Sequence, residues 1–301
     1  MQPSRCSNRD PEAREALPFI HTNSAVNCYQ QCPQLFDHKY VSLRRPAKVA
    51  SALAMGSAFG ALVDGIWGAE ELEDHPPLSD VERAKVAAMI AAYREIRAPW
   101  IATLTDVEIE HQWSEEIAGK KCSGKIDKRF REAGQLCMLD HKTIAENVSD
   151  ATSDYWDHML MNRQAALYRA ATYLETGEVP RIYWDVIRKP SLRLKKTETP
   201  EEYSQRCLDA YREAPDDFFT LREVVFTEEM ANQAVSEFLE IADEIDTRRS
   251  LARNPGACRK FGSACPFLGV CIGRDSLDDP KFEIIDSPHA ELNTKEGIPN
   301  A

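Results

Sequence analysis

Three extended runs, "DVEIEHQW" (106–113), "CSGKIDKRF" (122–130) and "QLCMLDHKT" (135–143), follow one another in the first half of the chain. The last two are joined only by the short turn at "REAGQ", which makes them antiparallel neighbours. A chain with such a meander must build a sheet and then cover it. The end of the third run is unusual for a covered strand. Side chains two apart share a strand face, so Leu136, Met138, Asp140 and Lys142 point one way and Cys137, Leu139, His141 and Thr143 the other. An acid and a base therefore leave an apolar surface together.

Helical patterns flank the meander. Ser24 is placed to cap a helix running to about Val41, with Pro33 inside it as a kink or a restart. A second helix is expected from about Val49 to Leu72, and Ser79 with Glu82 forms a capping box for a third that ends near Pro99. After the meander, Ser153 to about Leu174 reads as one long helix and "RIYWDVIRK" as the next strand. Thr199-Pro200 opens a further helix, "DFFTLREVVFT" reads as a strand, and Thr227 opens the last long helix. The order is that of an α/β protein: helices, three strands, helix, strand, decoration.

The 301 residues are 43% hydrophobic, enough for a sizeable core in one elaborated domain. The longest uncharged stretch, Val49 to Val63, is shorter than the ~20 apolar residues a membrane span needs, so no membrane association is expected. Arg5, Arg9, Asp10, Glu12 and Arg14 leave no apolar block for a secretory signal, and the cytoplasm is the expected compartment. A formal net charge of −12 argues against a purely electrostatic nucleic-acid binder. Local basic runs exist nonetheless, at 120–131 and at 188–196. Nine unevenly spread cysteines do not suggest a disulfide scaffold and point to metal ligation or free thiols.

Asp127 lies on the second run and Asp140 with Lys142 at the end of the third. Two carboxylates with a few carbonyl or water oxygens suit a hard divalent ion such as Mg²⁺ or Mn²⁺. A lysine beside them can orient or help deprotonate an attacking water and balance a phosphodiester's charge. Taken together, "SGKIDKRF", "GQLCMLDHKT" and "QAALY" resemble the PD-(D/E)xK nuclease superfamily, specifically its RecB-like exonuclease branch. That resemblance implies a restriction-endonuclease-like αβββαβ core with a mixed central sheet, a helical N-terminal part and a C-terminal iron–sulfur lobe. It implies Asp127 and Asp140 as metal ligands, the main-chain carbonyl of His141 as a third, and Lys142 as the catalytic lysine. Its Q-x-x-x-Y helix motif falls on Gln164 and Tyr168, one helical turn apart and facing the substrate.

The branch also carries a cysteine cluster, and "NPGACRKFGSACPFLGVC" supplies Cys258, Cys265 and Cys271 in a loop-like segment. The fourth cysteine of such clusters stands far upstream in a "CP" motif, matched by "QQCPQLFDHKY" at Cys32, which implies a structural [4Fe-4S] cluster. Cys28, one turn away, is the alternative fourth ligand, and zinc is the alternative metal. Cys6, Cys122, Cys137 and Cys207 read as buried or incidental thiols.

One departure concerns the branch's G-x-x-x-H-x-x-x-E helix, which here reads Gly56, Gly60 and Asp64, without the metal-proximal histidine. By strand alternation His111 shares a face with Val107, Ile109 and Trp113 and does not replace it, while Glu110 faces the other way.

The expected organisation is a disordered N-terminus (1–20), a nuclease domain with helical insertions (21–252), a cysteine segment closing on Cys32 (253–274) and a flexible tail (275–301). The expected function is a metal-dependent DNA exonuclease or endonuclease acting on single strands or DNA ends in recombination, repair or phage DNA processing, alongside a helicase or recombinase partner. The two basic runs are expected to line the DNA channel. The competing reading is a non-catalytic DNA-binding or scaffold protein that keeps the fold and the cluster. An iron–sulfur electron carrier is disfavoured, because nothing resembles a flavin or nicotinamide site.

Overall fold

The computed structural model describes residues 19–48, 50–65, 68, 72, 78–247, 251–260, 262–289 and 292. The expected disordered N-terminus falls almost wholly outside them, as do Cys6 and most of the expected helix beyond Asp64.

The entry helix is broken where Pro33 stands. Helix α1 (Asn23–Gln31) is capped by Thr22, not Ser24: the Thr22 hydroxyl accepts from the Ala25 N–H at 3.1 Å. Cys32 is extended, and Pro33 takes the first position of a new helix, α2 (Pro33–Phe36), which runs into a π-helical turn at Asp37–Val41. Strand β1 (Arg44–Pro46) and α3 (Ser51–Val63) follow. Helix α4 (Asp80–Ile101) starts on the expected Ser79–Glu82 capping box and continues through Pro99.

The meander forms as expected, with β2 (Thr105–Ile117), β3 (Lys120–Glu132) and β4 (Gln135–Ile144) antiparallel in sequence order. The single helix expected from Ser153 to Leu174 is two, α5 (Asp154–Leu160) and α6 (Arg163–Thr176). The Asn162 side chain accepts from the Gln164 N–H at 3.0 Å, and this cap starts a fresh helix after Met161. Strand β5 (Arg181–Arg188) returns parallel to β4, as a crossover through a helix requires, and β6 (Phe219–Glu223) closes the sheet antiparallel after α7 (Pro200–Glu213). The result is a five-stranded mixed sheet in the order β2-β3-β4-β5-β6, the restriction-endonuclease-like core that the sequence implies.

Helices cover both sheet faces. One core joins α1, α6 and α8 (Glu228–Thr247) to Trp113, Met138, Trp184 and Val186. The other joins α3, α4 and α7 to Ile187 and Phe219, with Phe130, Cys137 and Leu139 beside it. Residues alternate along β4 accordingly, and Asp140 leaves the sheet on the α6 face. Cys122, Cys137 and Cys207 are buried free thiols.

The C-terminal segment carries two short strands, β7 (Arg259–Lys260) and β8 (Ser263–Ala264), and a single helical turn, α9 (Leu268–Cys271). Part of the stretch expected as a flexible tail is ordered: β9 (Phe282–Ile284) pairs antiparallel with β1, and Phe282 is buried against Phe267 with ring centroids 4.9 Å apart. Apolar burial of Phe282 is what holds this segment. Among the described residues no helix is long and apolar enough to cross a membrane.

Candidate active site

Two glycines let the site close. A β-carbon on Gly124 would lie 2.8 Å from the Trp113 ring, so only glycine fits under that indole two residues before Ile126. A β-carbon on Gly56 would stand 3.1 Å from Thr143 Oγ1, which shows how closely α3 approaches the end of β4.

The pairing of β3 with β4 runs from Glu132–Gln135 to Lys128–Leu139, and one step further brings Asp127 beside Asp140. There the His141 N–H donates to Asp127 Oδ2 at 2.8 Å. Asp140, only 3% exposed, is ringed by polar groups from two elements. Lys142 Nζ forms an ion pair with its Oδ2. Gln164 Nε2 donates to its Oδ1 at 2.9 Å and the Tyr168 hydroxyl lies 3.2 Å from the same oxygen. Gln164 Oε1 accepts from Lys142 Nζ at 3.0 Å, and the Tyr168 hydroxyl reaches the Lys125 carbonyl at 2.6 Å. Asp140, Lys142, Gln164 and Tyr168 therefore form one connected set, with Asp127 set beside it by sheet register and by the His141 N–H, and Gln164 and Tyr168 brought in by the first turns of α6.

The electrostatics divide the two acids. Burial pushes the Asp140 carboxyl up to about 6, with Asp127's charge adding to the rise and Lys142 opposing it. Burial also acts upward on Asp127, but the hydrogen bond it accepts from the His141 N–H and the charges of His141 and Lys142 outweigh burial and hold it below the usual range. Tyr168 is raised well above the ordinary phenol value by burial and by the two carboxylates, so it stays a neutral donor.

Some participants, Tyr93, Arg97 and Asp185, were not singled out from sequence, and His141 contributes its imidazole as well as its main chain. Behind Asp127, the His141 imidazole places Nδ1 3.5 Å from Asp127 Oδ2 and Nε2 3.1 Å from the Tyr93 hydroxyl. Burial and the charge of Asp185 push the Tyr93 phenol up, and the Arg97 guanidinium grips Asp185 with contacts of 2.7 to 3.2 Å. Asp64, at the end of α3, is buried and paired with Lys128 at 2.8 Å, and Asp127's charge bears on it. Burial raises its carboxyl, opposed by His141 and Lys128. The signal for Asp64 was its place at the end of the Gly56-to-Asp64 motif. Tyr93 and Arg97 had none, since a tyrosine and an arginine on a long helix read as core and surface. Space beside Gly60 is open, and the imidazole nearest Asp127 comes from β4 instead.

Other expectations shift. His111 pairs with Glu108 and Glu175, away from the acids. Glu110 adopts a left-handed backbone at φ 54°, which breaks the assumed alternation, and it pairs with Lys125. Val107 and Ile109 are exposed whereas Trp113 is buried. Most of the 120–131 basic run is occupied inside the protein: Lys120 with Asp243 and Asp246, Lys128 with Asp64, Arg129 with Glu108 and Glu175, and Arg131 with Glu178. Such pairs leave little positive charge for a DNA channel. In the second run, Arg188 lies over the Phe218 ring and Lys189 Nζ reaches the Ala52 carbonyl.

At the other end, Cys32, Cys258, Cys265 and Cys271 all line one small cavity, together with His38. The Asn254 N–H donates to Cys32 Sγ at 3.4 Å, and Cys271 Sγ lies 3.8 Å from His38 Nε2. Burial, reinforced by the neighbouring sulfurs, raises Cys265 and Cys271, and burial pushes Cys28 up to about 11. Among the described residues, no three His, Cys, Asp or Glu side chains stand in a ready metal-holding geometry. The donor types nonetheless fit: oxygen donors around Asp127 and Asp140, sulfur donors around the cavity.

A family model for the PD-(D/E)XK nuclease superfamily matches residues 22–272. The solved structure of a Eubacterium rectale protein named "Putative exonuclease" is 13% identical, with a TM-score of 0.55, covering 93% of this chain and 94% of that one; at that identity the likeness concerns the fold. The structure of SSO0001 is 12% identical over 76% of this chain and 87% of that one, with a TM-score of 0.36, too low to add to the comparison. No curated protein matches the sequence.

Proposed function

The chain belongs to the PD-(D/E)XK nuclease superfamily, and from that premise we propose that it is a metal-dependent deoxyribonuclease acting on single strands or DNA ends. The observation that carries this reading is the convergence of Asp127 and Asp140 with Lys142, Gln164 and Tyr168. Asp127, Asp140 and the His141 main-chain carbonyl would hold Mg²⁺ or Mn²⁺. When bound, such an ion supplies charge for the phosphodiester oxygen and acidifies water.

The remaining chemistry belongs to the chain. Lys142, held between Asp140 and Gln164, is placed to orient the attacking water and to take up negative charge as the phosphorus–oxygen bond breaks. Gln164 and Tyr168 fix the Asp140 carboxylate and present donors toward the substrate side of α6. The hydrogen bond from the His141 N–H, with the charges of His141 and Lys142, holds Asp127's carboxyl low and ready for a cation.

We also propose a [4Fe-4S] cluster on Cys32, Cys258, Cys265 and Cys271, clasping the α1–α2 break to the segment 253–274. Support comes from the shared cavity and from the Cys265 and Cys271 thiols, which burial makes resist ionisation unless a cation is near. The missing histidine at Gly60 favours a second reading, a DNA-binding protein without cleavage. Anaerobic incubation of the protein with end-labelled single- and double-stranded DNA, in Mg²⁺, Mn²⁺ or EDTA, separates the two. Metal-dependent product that disappears in Lys142→Ala supports the nuclease; DNA binding without any metal-dependent product supports the second reading.

A further inference from the structure

Beside the acids lies a cavity that the proposed mechanism leaves without a role. The β4–β5 register sets Asp140 against Trp184, and the β5–β6 register sets Trp184 against Arg222. Opposed residues on neighbouring strands share a face, so Asp140, Trp184 and Arg222 form one row across the sheet on the α5–α6 side. Lys142 Nζ lies over the Trp184 ring at 5.0 Å, joining this row to the acids. Strand spacing of ~4.8 Å puts Arg222 about 10 Å from Asp140, the rise of about three stacked nucleotides at ~3.4 Å each.

Between Trp184, Arg222 and α5 the row opens into a cavity of about 150 Å³. Its walls include Trp156, Met159 and Val225, and Val225 is 74% exposed. The Arg222 guanidinium stacks on Trp156 at 4.8 Å. Trp184 is buried, so it offers this space a wall of indole packed among Asp140, Lys142 and Arg222. The Asp157 carboxylate also lines the space and repels phosphate.

We propose that this cavity receives a nucleobase of the DNA strand, one to three nucleotides from the scissile phosphate, a reading that rests on the nuclease assignment of the Asp140 site. Aromatic and apolar walls suit a base face, and the Asp157 and Glu223 carboxylates set against the one Arg222 guanidinium disfavour a phosphate there. The subsite would fix the register of the strand over Asp140 and so decide which phosphodiester is cut.

The test uses a series of single-stranded oligonucleotides, each with one abasic nucleotide at a different position around the mapped cut. Binding is read by fluorescence anisotropy in Ca²⁺ and product length in Mn²⁺, for the wild type and for Val225→Asp, a change at an exposed wall. The expected result is a loss of about tenfold in wild-type affinity at one position within three nucleotides of the cut, absent in Val225→Asp. A flat profile in the wild type, or the same dip in the variant, overturns the base pocket while leaving the nuclease reading intact. Failure to bind or cut any oligonucleotide overturns both.

Discussion

The Tyr93 hydroxyl lies 3.1 Å from His141 Nε2, while the opposite ring nitrogen faces Asp127. A long helix thereby reaches, through the His141 imidazole, a carboxylate proposed as a metal ligand. Asp185, gripped by Arg97, acts electrostatically on the Tyr93 phenol, so a buried group of polar side chains stands behind Asp127.

Removing the Tyr93 hydroxyl is expected to loosen that network without emptying the core. Tyr93→Phe should weaken Mn²⁺ binding by about tenfold, in the range seen for partners that orient metal ligands, with little change in melting temperature. Isothermal titration checks the first statement and thermal unfolding the second; unchanged affinity would show that Tyr93 is only packing.

Asp185 has no exposure and the Arg97 side chain is 12% exposed, so removing one partner strands a charge. Asp185→Ala should cost about 3–5 kcal/mol in denaturant unfolding. Asp185→Ala combined with Arg97→Met should recover a large part of that loss. A double variant as unstable as the single one would contradict the pairing.

Stability without metal should fall as the pH rises through the range set by Asp140. Its folded value of about 6 lies above the ordinary 3.8, so the folded state holds the proton more tightly than the unfolded chain. The favourable contribution is complete below about pH 4 and lost as the pH passes about 6. Asp140→Asn removes this dependence. In EDTA, its stability relative to the wild type should grow by roughly 2–3 kcal/mol between about pH 4 and about pH 7. A constant difference would mean that Asp140 is not held in this way.

The cysteine assignment separates Cys32 from Cys28. Cys28 is buried on α1, whereas Cys32 lines the cavity shared with Cys258, Cys265 and Cys271. Anaerobically purified wild type should carry iron and visible absorbance, lost in Cys32→Ser and in Cys265→Ser and kept in Cys28→Ser. Iron retained in Cys32→Ser would move the ligand to Cys28.

The sheet and the acids were legible because local rules govern them. A short turn fixes β3 against β4, and period-two alternation fixes which side chains leave β4 together. The helix breaks were less legible. Pro33 was visible as a kink or a restart, but the end of α5 at Met161 depended on Asn162 capping α6 inside an apolar-periodic run. The supports of the site were hidden for another reason: Tyr93, Arg97 and Asp185 meet only through long-range packing of α4 on β5. The basic run at 120–131 misled, since sequence shows charges but not the acids on α8, on α6 and just after it that neutralise them.

The whole account depends on one cation shared by Asp127 and Asp140. Mn²⁺ titration followed by electron paramagnetic resonance, on the wild type and on Asp127→Asn and Asp140→Asn, tests this without any substrate. The expected result is a tight Mn²⁺ site in the wild type that is lost in each variant alone. A site that survives either substitution would show that the two carboxylates do not hold the same ion.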